Sequence, residues 1–230
     1  MREVLLNSVF FGVFLCLAAF QISLMLKKRF KFAILNPLLI SNLLVIGVLL
    51  VFDIPYENFN NGAKYISFFL TPLTICLAVP LYEQLNLLKN NLKAIFAGLI
   101  GGVIGGLVSI YILALIFGLN HEFFVTLLPK SVTAPIGIGV SEKLGGVVTI
   151  TVASIIITGI FGNMCGAFFL KLFRVKNSVA KGLALGAASH AMGVARAIEM
   201  GSIEGAMASL ALAVTGLLTV VGASIFAMFL

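Results

Sequence analysis

The sequence predicts an all-α integral membrane protein of about six transmembrane helices plus two re-entrant or broken-helix hairpins, related as an inverted repeat within one transmembrane domain, 1–230. Three observations predict it. The chain is 61% hydrophobic and 10% charged, with a mean hydropathy of +1.18, whereas soluble domains carry about 25% charged residues. Six uncharged runs each approach the roughly 20 residues needed to cross a hydrocarbon core. Between them stand two polar, glycine-bearing segments, Phe123 to Gly146 and Gly182 to Glu204, too polar for ordinary spans.

The runs are Val4 to Leu26, Phe32 to Phe52, Tyr65 to Tyr82, Ala94 to Leu119, Val147 to Leu170 and Ala206 to Leu230. A single Arg before the first run predicts a retained helix instead of a cleaved signal peptide. Of fifteen cations, eight fall in two acid-free loops, Lys27, Lys28, Arg29 and Lys31, then Lys171, Arg174, Lys176 and Lys181. The positive-inside rule makes both loops cytoplasmic, next to anionic headgroups, so the net charge of +7 calls for no nucleic acid. Alternation then puts the N-terminus outside, as it does the stretch 53–64, where Asp53 and Glu57 outweigh Lys64. The fifth run must end at the second basic loop and so begin outside. The segment 123–146 therefore starts and ends on one face, as a hairpin entered from outside. No charge follows Glu204 to fix the end of the chain; the polarity of 182–204 predicts a second hairpin, entered from inside.

The first hairpin contains Pro129, Lys130, Ser131, Thr133, Pro135, Gly137 and Gly139. Proline removes a backbone donor, and irregular backbone survives at membrane depth only when protein or a polar cavity surrounds it. Sliding the chain by 57 residues aligns Glu142 with Glu199, Thr158-Gly159 with Thr215-Gly216, and Thr133 with His190. Each unit reads as a hairpin followed by an apolar helix, entered from opposite faces, the inverted arrangement of secondary transporters. A weaker echo relates Thr74 and Glu83 to Thr133 and Glu142.

Lys130, Ser131 and Thr133 cluster where a half-helix begins, a setting suited to a carboxylate; the alternative is a lysine snorkelling to the interface with hydroxyls bonded back to the helix. His190, beside Ser189, is an ionisable group at membrane depth and a candidate for solute contact or proton coupling. Arg196 reads as a carboxylate anchor or as the structural partner of Glu199 or Glu142. Asn163 reads as a cavity-lining donor. The glycines at 162 and 166, and those at 98, 102 and 106, have the small-residue spacing of close helix packing. Cys16, Cys76 and Cys165 stand singly as small core residues, and no metal or cofactor is called for. Enzymatic motifs are missing, and Ser189 and His190, adjacent on a helix, point about 100° apart, unsuited as nucleophile and base. No enzyme is expected.

The stretches Pro129-Lys-Ser-Val-Thr-Ala-Pro-Ile-Gly137, Phe161-Gly-Asn-Met-Cys-Gly166, Gly182-Leu-Ala-Leu-Gly-Ala-Ala-Ser-His-Ala-Met-Gly-Val-Ala-Arg-Ala197 and Glu204-Gly-Ala-Met-Ala-Ser209 resemble the LrgB/CidB family of bacterial antiholin-like membrane proteins. The resemblance covers essentially the whole chain and implies a bacterial cell membrane location and a small holin-like partner of the LrgA/CidA type. A plant relative resembling the two fused together is a plastid glycolate/glycerate transporter. Two functions are expected from it. One is a carrier of small monocarboxylates such as glycolate, glycerate or pyruvate, and the other is an antiholin-like regulator of murein hydrolase activity and autolysis. A regulator acting by packing alone has no need of Lys130, Thr133, Asn163, His190 and Arg196 in membrane segments, which favours the carrier. The glycine face at 98, 102 and 106 is expected to meet the holin-like protein or a second copy.

Overall fold

The computed structural model describes residues 8–30, 36–69, 72, 75, 76 and 78–230. Among them the regular structure is entirely helical, and contacts divide the chain into two compact units, 1–76 and 77–230.

The first unit holds α1 (Val9–Phe30), α2 (Pro37–Val51) and α3 (Tyr56–Phe68). Lys27, Lys28 and Arg29, expected in a loop, instead form the last turn of α1, where cations meet the negative end of the helix dipole. Asn36 caps α2, accepting from the Leu38 amide at 2.8 Å, and Pro37 supplies a preset first turn. Its 15 residues reach about 22 Å, short of a full core of about 30 Å; residues 32–35 of that predicted span lie outside the described residues. α1 and α3 cross at Gly12 and Gly62, where a Cβ on either would run into the partner's backbone. Of the predicted third span, 65–82, residues 70, 71, 73, 74 and 77 also lie outside the described set, and with them the Thr74 echo.

The second unit holds α4 (Ala78–Glu83), α5 (Leu85–Asn90), α6 (Leu92–Phe117), α7 (His121–Leu127), α8 (Ala134–Leu144), α9 (Val148–Leu172), α10 (Ser178–Met200) and α11 (Ser202–Phe226). With α1, the helices α6, α9 and α11 are long and apolar enough to cross a membrane.

The predicted hairpins are both present as chain reversals. The first is α7 and α8 joined by the turn 128–133, ended by Gly145 in the left-handed conformation at φ 77°. Its base is held by buried hydroxyls: Thr126 Oγ1 accepts from the Val147 amide at 2.8 Å, and Thr151 donates to the Thr126 carbonyl at 2.9 Å while lying 2.7 Å from Ser141 Oγ. The second is α10, broken at Ser189 (φ −134°, ψ 20°) and His190 (φ 42°, ψ −137°). Past the break the chain turns back, because a Cβ on Gly193 would collide with the Leu185 carbonyl, and residues eight apart in a straight helix stand about 12 Å apart. This hairpin ends at Met200, not at Glu204. Gly201 is extended (φ 163°, ψ 165°), and Glu204 falls in the first turn of α11, where a carboxylate is favoured.

The 57-residue offset is carried by the backbone. Asn120 caps α7 by accepting from the Phe123 amide at 2.9 Å, and Asn177 caps α10 by accepting from the Ala180 amide at 3.1 Å. Thr133 and His190 stand at the two hairpin tips. The hairpins also run inversely along α9. Ser141 lies by Thr151 and Gly137 by Ile155, whereas Leu185 lies by Gly166, Ser189 by Gly162 and His190 by Gly159. One hairpin therefore climbs from the start of α9 and the other from its end. They meet at Ile155, whose side chain covers Gly137 and whose carbonyl accepts from His190 Nε2 at 3.0 Å.

Candidate functional site

Between α6, the first arm of α10 and the tip of the first hairpin lies a cavity of about 620 Å³. One wall is the glycine ridge Gly98, Gly102 and Gly106 of α6, and the facing wall is Ala180, Ala184, Ala187 and Ala188 of α10. The same helices also bring larger apolar residues to the lining, Val103 and Leu107 from α6 and Val179 and Leu183 from α10. Asn91 and Asn177, at the starts of α6 and α10, mark one end. Lys130 and Ser131 lie toward the other, with Leu128, Ile110 and Thr219 of α11.

Lys130 brings the only charge to this lining among the described residues. Its ammonium donates to Ser131 Oγ at 3.0 Å. That leaves two ammonium protons, and the serine hydroxyl, which accepts from the lysine, keeps its own proton to donate. The pair is thus a cluster of donors with one positive charge, at the end of a mainly apolar chamber.

The other predicted site residues lie elsewhere, and none lines this cavity. Thr133 is half-buried as the residue preceding α8. Ser189 and His190 are buried against α9, Ser189 filling the space above Gly162. A carbonyl can only accept, so the His190 bond to Ile155 places a proton on Nε2. Asn163 donates to the Met192 carbonyl at 2.9 Å, just past the break in α10, so it braces the hairpin from α9. Arg196 pairs with Glu199 at 2.6 Å on the outer arm of that hairpin, and Glu142 is exposed on α8. The residues at the second tip hold a backbone in a conformation an L-residue rarely adopts; such strain persists only where neighbours fix it.

Sequence reasoning missed Thr219, Asn91 and Asn177. Thr219 is one of several hydroxyls in an uncharged run, and only the fold turns it toward the cavity.

The LrgB-like family profile matches residues 16–229. The chain is 42% identical to the antiholin-like protein LrgB of Bacillus mycoides (strain KBAB4) over 222 residues, covering 96% of each chain. It is 41% identical, with the same coverage, to the proteins of that name from Bacillus cereus (strain B4264) and Bacillus anthracis (strain CDC 684 / NRRL 3495). No solved structure gives a significant match. Four apolar helices of spanning length, paired hairpins and end-to-end similarity to these proteins agree: the chain belongs to the LrgB-like family of membrane proteins.

Proposed function

We propose that the protein is a non-enzymatic membrane carrier for small monocarboxylates of the glycolate, glycerate or pyruvate kind, with Lys130 and Ser131 as the seat of the carboxylate. The observation that carries this reading is the 620 Å³ chamber with an amine and a hydroxyl at one end. A carboxylate entering a low-dielectric space must exchange its hydration for a cation and several donors, and this pair offers both. Walls of glycine and alanine leave room beside it for a short carbon chain, with the Thr219 hydroxyl available to a second oxygen. His190, Ser189, Asn163 and Thr133 act on this site indirectly, by holding the hairpin tips, and Arg196 with Glu199 stiffens the outer arm.

The end of the chamber at Asn91 and Asn177 adjoins the cationic segment 171–181, so the positive-inside rule favours a cavity open to the cytoplasm; the same rule, applied separately to Lys27, Lys28 and Arg29, favours an outside N-terminus. The first hairpin would then be the barrier on the outer side. An LrgA/CidA-type membrane protein is the proposed partner. The relatives' name, antiholin-like, supports the second reading, regulation of murein hydrolase activity through such a partner. The two separate in proteoliposomes. Uptake of labelled glycolate, glycerate or pyruvate, with or without the partner, supports the carrier. No uptake of any of the three in either preparation contradicts it.

A further inference from the structure

A second cavity, of about 360 Å³, lies where α9 ends and α10 begins, and none of the predicted solute-binding residues takes part in it. Its apolar part is Ala167, Leu170, Val175 and Met200, and its rim carries Lys171, Arg174, Lys176 and Lys181, with no acid among its lining residues. One side therefore suits an acyl chain and the other a phosphate.

Arg174 also occupies a backbone position that favours glycine. α9 ends with Arg174 in the left-handed conformation at φ 55°, its amide bonded to the Lys171 carbonyl at 3.1 Å and the Val175 amide to Leu170 at 2.9 Å. α6 ends with the same pair of bonds, Gly118 to Leu115 at 3.3 Å and Leu119 to Ala114 at 2.9 Å, and there the left-handed residue is glycine, at φ 61°. Glycine takes this conformation without strain and an L-residue does not. The ends of α6 and α8 use the residue the backbone prefers; those of α2, with Asp53 at φ 48°, and α9 do not, and α9 holds its cation at the mouth of a basic, apolar-floored pocket.

We infer that this pocket binds one anionic phospholipid, its phosphate held by Lys171, Arg174, Lys176 and Lys181 and its acyl chain laid over Leu170, Val175 and Met200. Lys181 belongs to the first arm of the second hairpin and Met200 ends its second arm, so an occupied pocket ties both feet of that hairpin to α9. The inference is independent of which solute, if any, the protein carries.

The test uses the whole protein in mild detergent, titrated with phosphatidylglycerol, phosphatidylcholine or glycerol phosphate, and followed by native mass spectrometry and thermal unfolding. The wild type is expected to retain phosphatidylglycerol over phosphatidylcholine and to gain thermal stability from it alone. Arg174→Gly removes the charge while relaxing the backbone. It should lower phosphatidylglycerol retention about fivefold, the size expected for one cation near a headgroup. Its unfolding temperature without lipid should stay equal or rise, and Lys27→Gln with Lys28→Gln, in the other basic segment, should leave retention unchanged. The inference is overturned if Arg174→Gly retains the lipid as the wild type does, if it lowers stability without lipid, or if the Lys27 and Lys28 changes reduce retention equally. Equal stabilisation by glycerol phosphate would also overturn it, making the pocket a free phosphate site.

Discussion

In α9, Gly159, Gly162 and Gly166 face the first arm of the second hairpin, and Gly98, Gly102 and Gly106 of α6 face the same arm from another side. On α9 an added Cβ would lie 2.6 Å from His190 Cε1 at Gly159 and 2.5 Å from Leu185 Cδ2 at Gly166, and would collide with the Ser189 side chain at Gly162. On α6 it would lie 3.9 Å from Leu183 at Gly98 and 3.8 Å from Ala187 at Gly102, with nothing within 4 Å at Gly106. The difference comes from the opposing residues: α10 turns Leu185, Ser189 and His190 toward α9 and mainly alanines toward α6. A glycine ridge on a membrane helix therefore signals either contact or space, and its partner decides which. The α6 ridge, expected as a packing face for another chain, lines an open cavity, with Gly98 and Gly102 exposed.

The largest effect that sharpens this contrast is at Gly162. Gly162→Leu leaves no place for Ser189 and unseats the hairpin tip, and overpacking of this kind costs about 3 kcal/mol or more. It should abolish a monodisperse peak in size-exclusion chromatography, and Gly162→Ala should unfold at a distinctly lower temperature than the wild type. Wild-type stability in both would break the comparison. Gly106→Leu, by contrast, grows into open volume, so its unfolding temperature should match that of the wild type while uptake falls.

At the polar end of the cavity, Lys130→Met should raise KM for a monocarboxylate by about tenfold to a hundredfold, the loss of a charge-assisted bond worth about 1.5 to 3 kcal/mol. Ser131→Ala removes a neutral donor and should cost about threefold to tenfold. An unchanged KM in Lys130→Met would remove the carboxylate from this site. The smallest effect is topological. Gly102→Cys should react with a membrane-impermeant maleimide from the cytoplasmic face alone, whereas Ser189→Cys, buried against α9, should stay unlabelled from either side. Labelling of Gly102→Cys from outside would reverse the proposed orientation.

Hydropathy made α1, α6, α9 and α11 legible, because uncharged length is a one-dimensional property. The hairpins were legible from polarity in the wrong place, and the 57-residue offset recovered their tips, Thr133 and His190, because a repeat keeps caps and breaks in register. The end of the second hairpin was misread. Glu204 looks polar in sequence and belongs to it by composition, yet an extended Gly201 hands it to the N-terminus of α11. The site was legible in part. Lys130 and Ser131 announce themselves as polar residues at a break, but which of the polar tip residues face a cavity depends on helix rotation, which no spacing rule supplied. His190 and Ser189, polar at the other break, are buried against α9 and line a different part of the fold.

The central claim, that the chamber beside α6 is the solute path, is tested most directly by placing leucine at two adjacent glycines of that helix. Gly106 lines the cavity, whereas Gly105 is exposed, is absent from its lining and has nothing within 4 Å of a built Cβ. Both substitutions should leave the folded protein intact. In proteoliposomes carrying whichever monocarboxylate the wild type takes up, Gly106→Leu should reduce initial uptake by about tenfold or more, by filling the site with a side chain too large to share it, and Gly105→Leu should transport as the wild type does. Equal uptake by the two variants, whether both normal or both lost, would contradict the account.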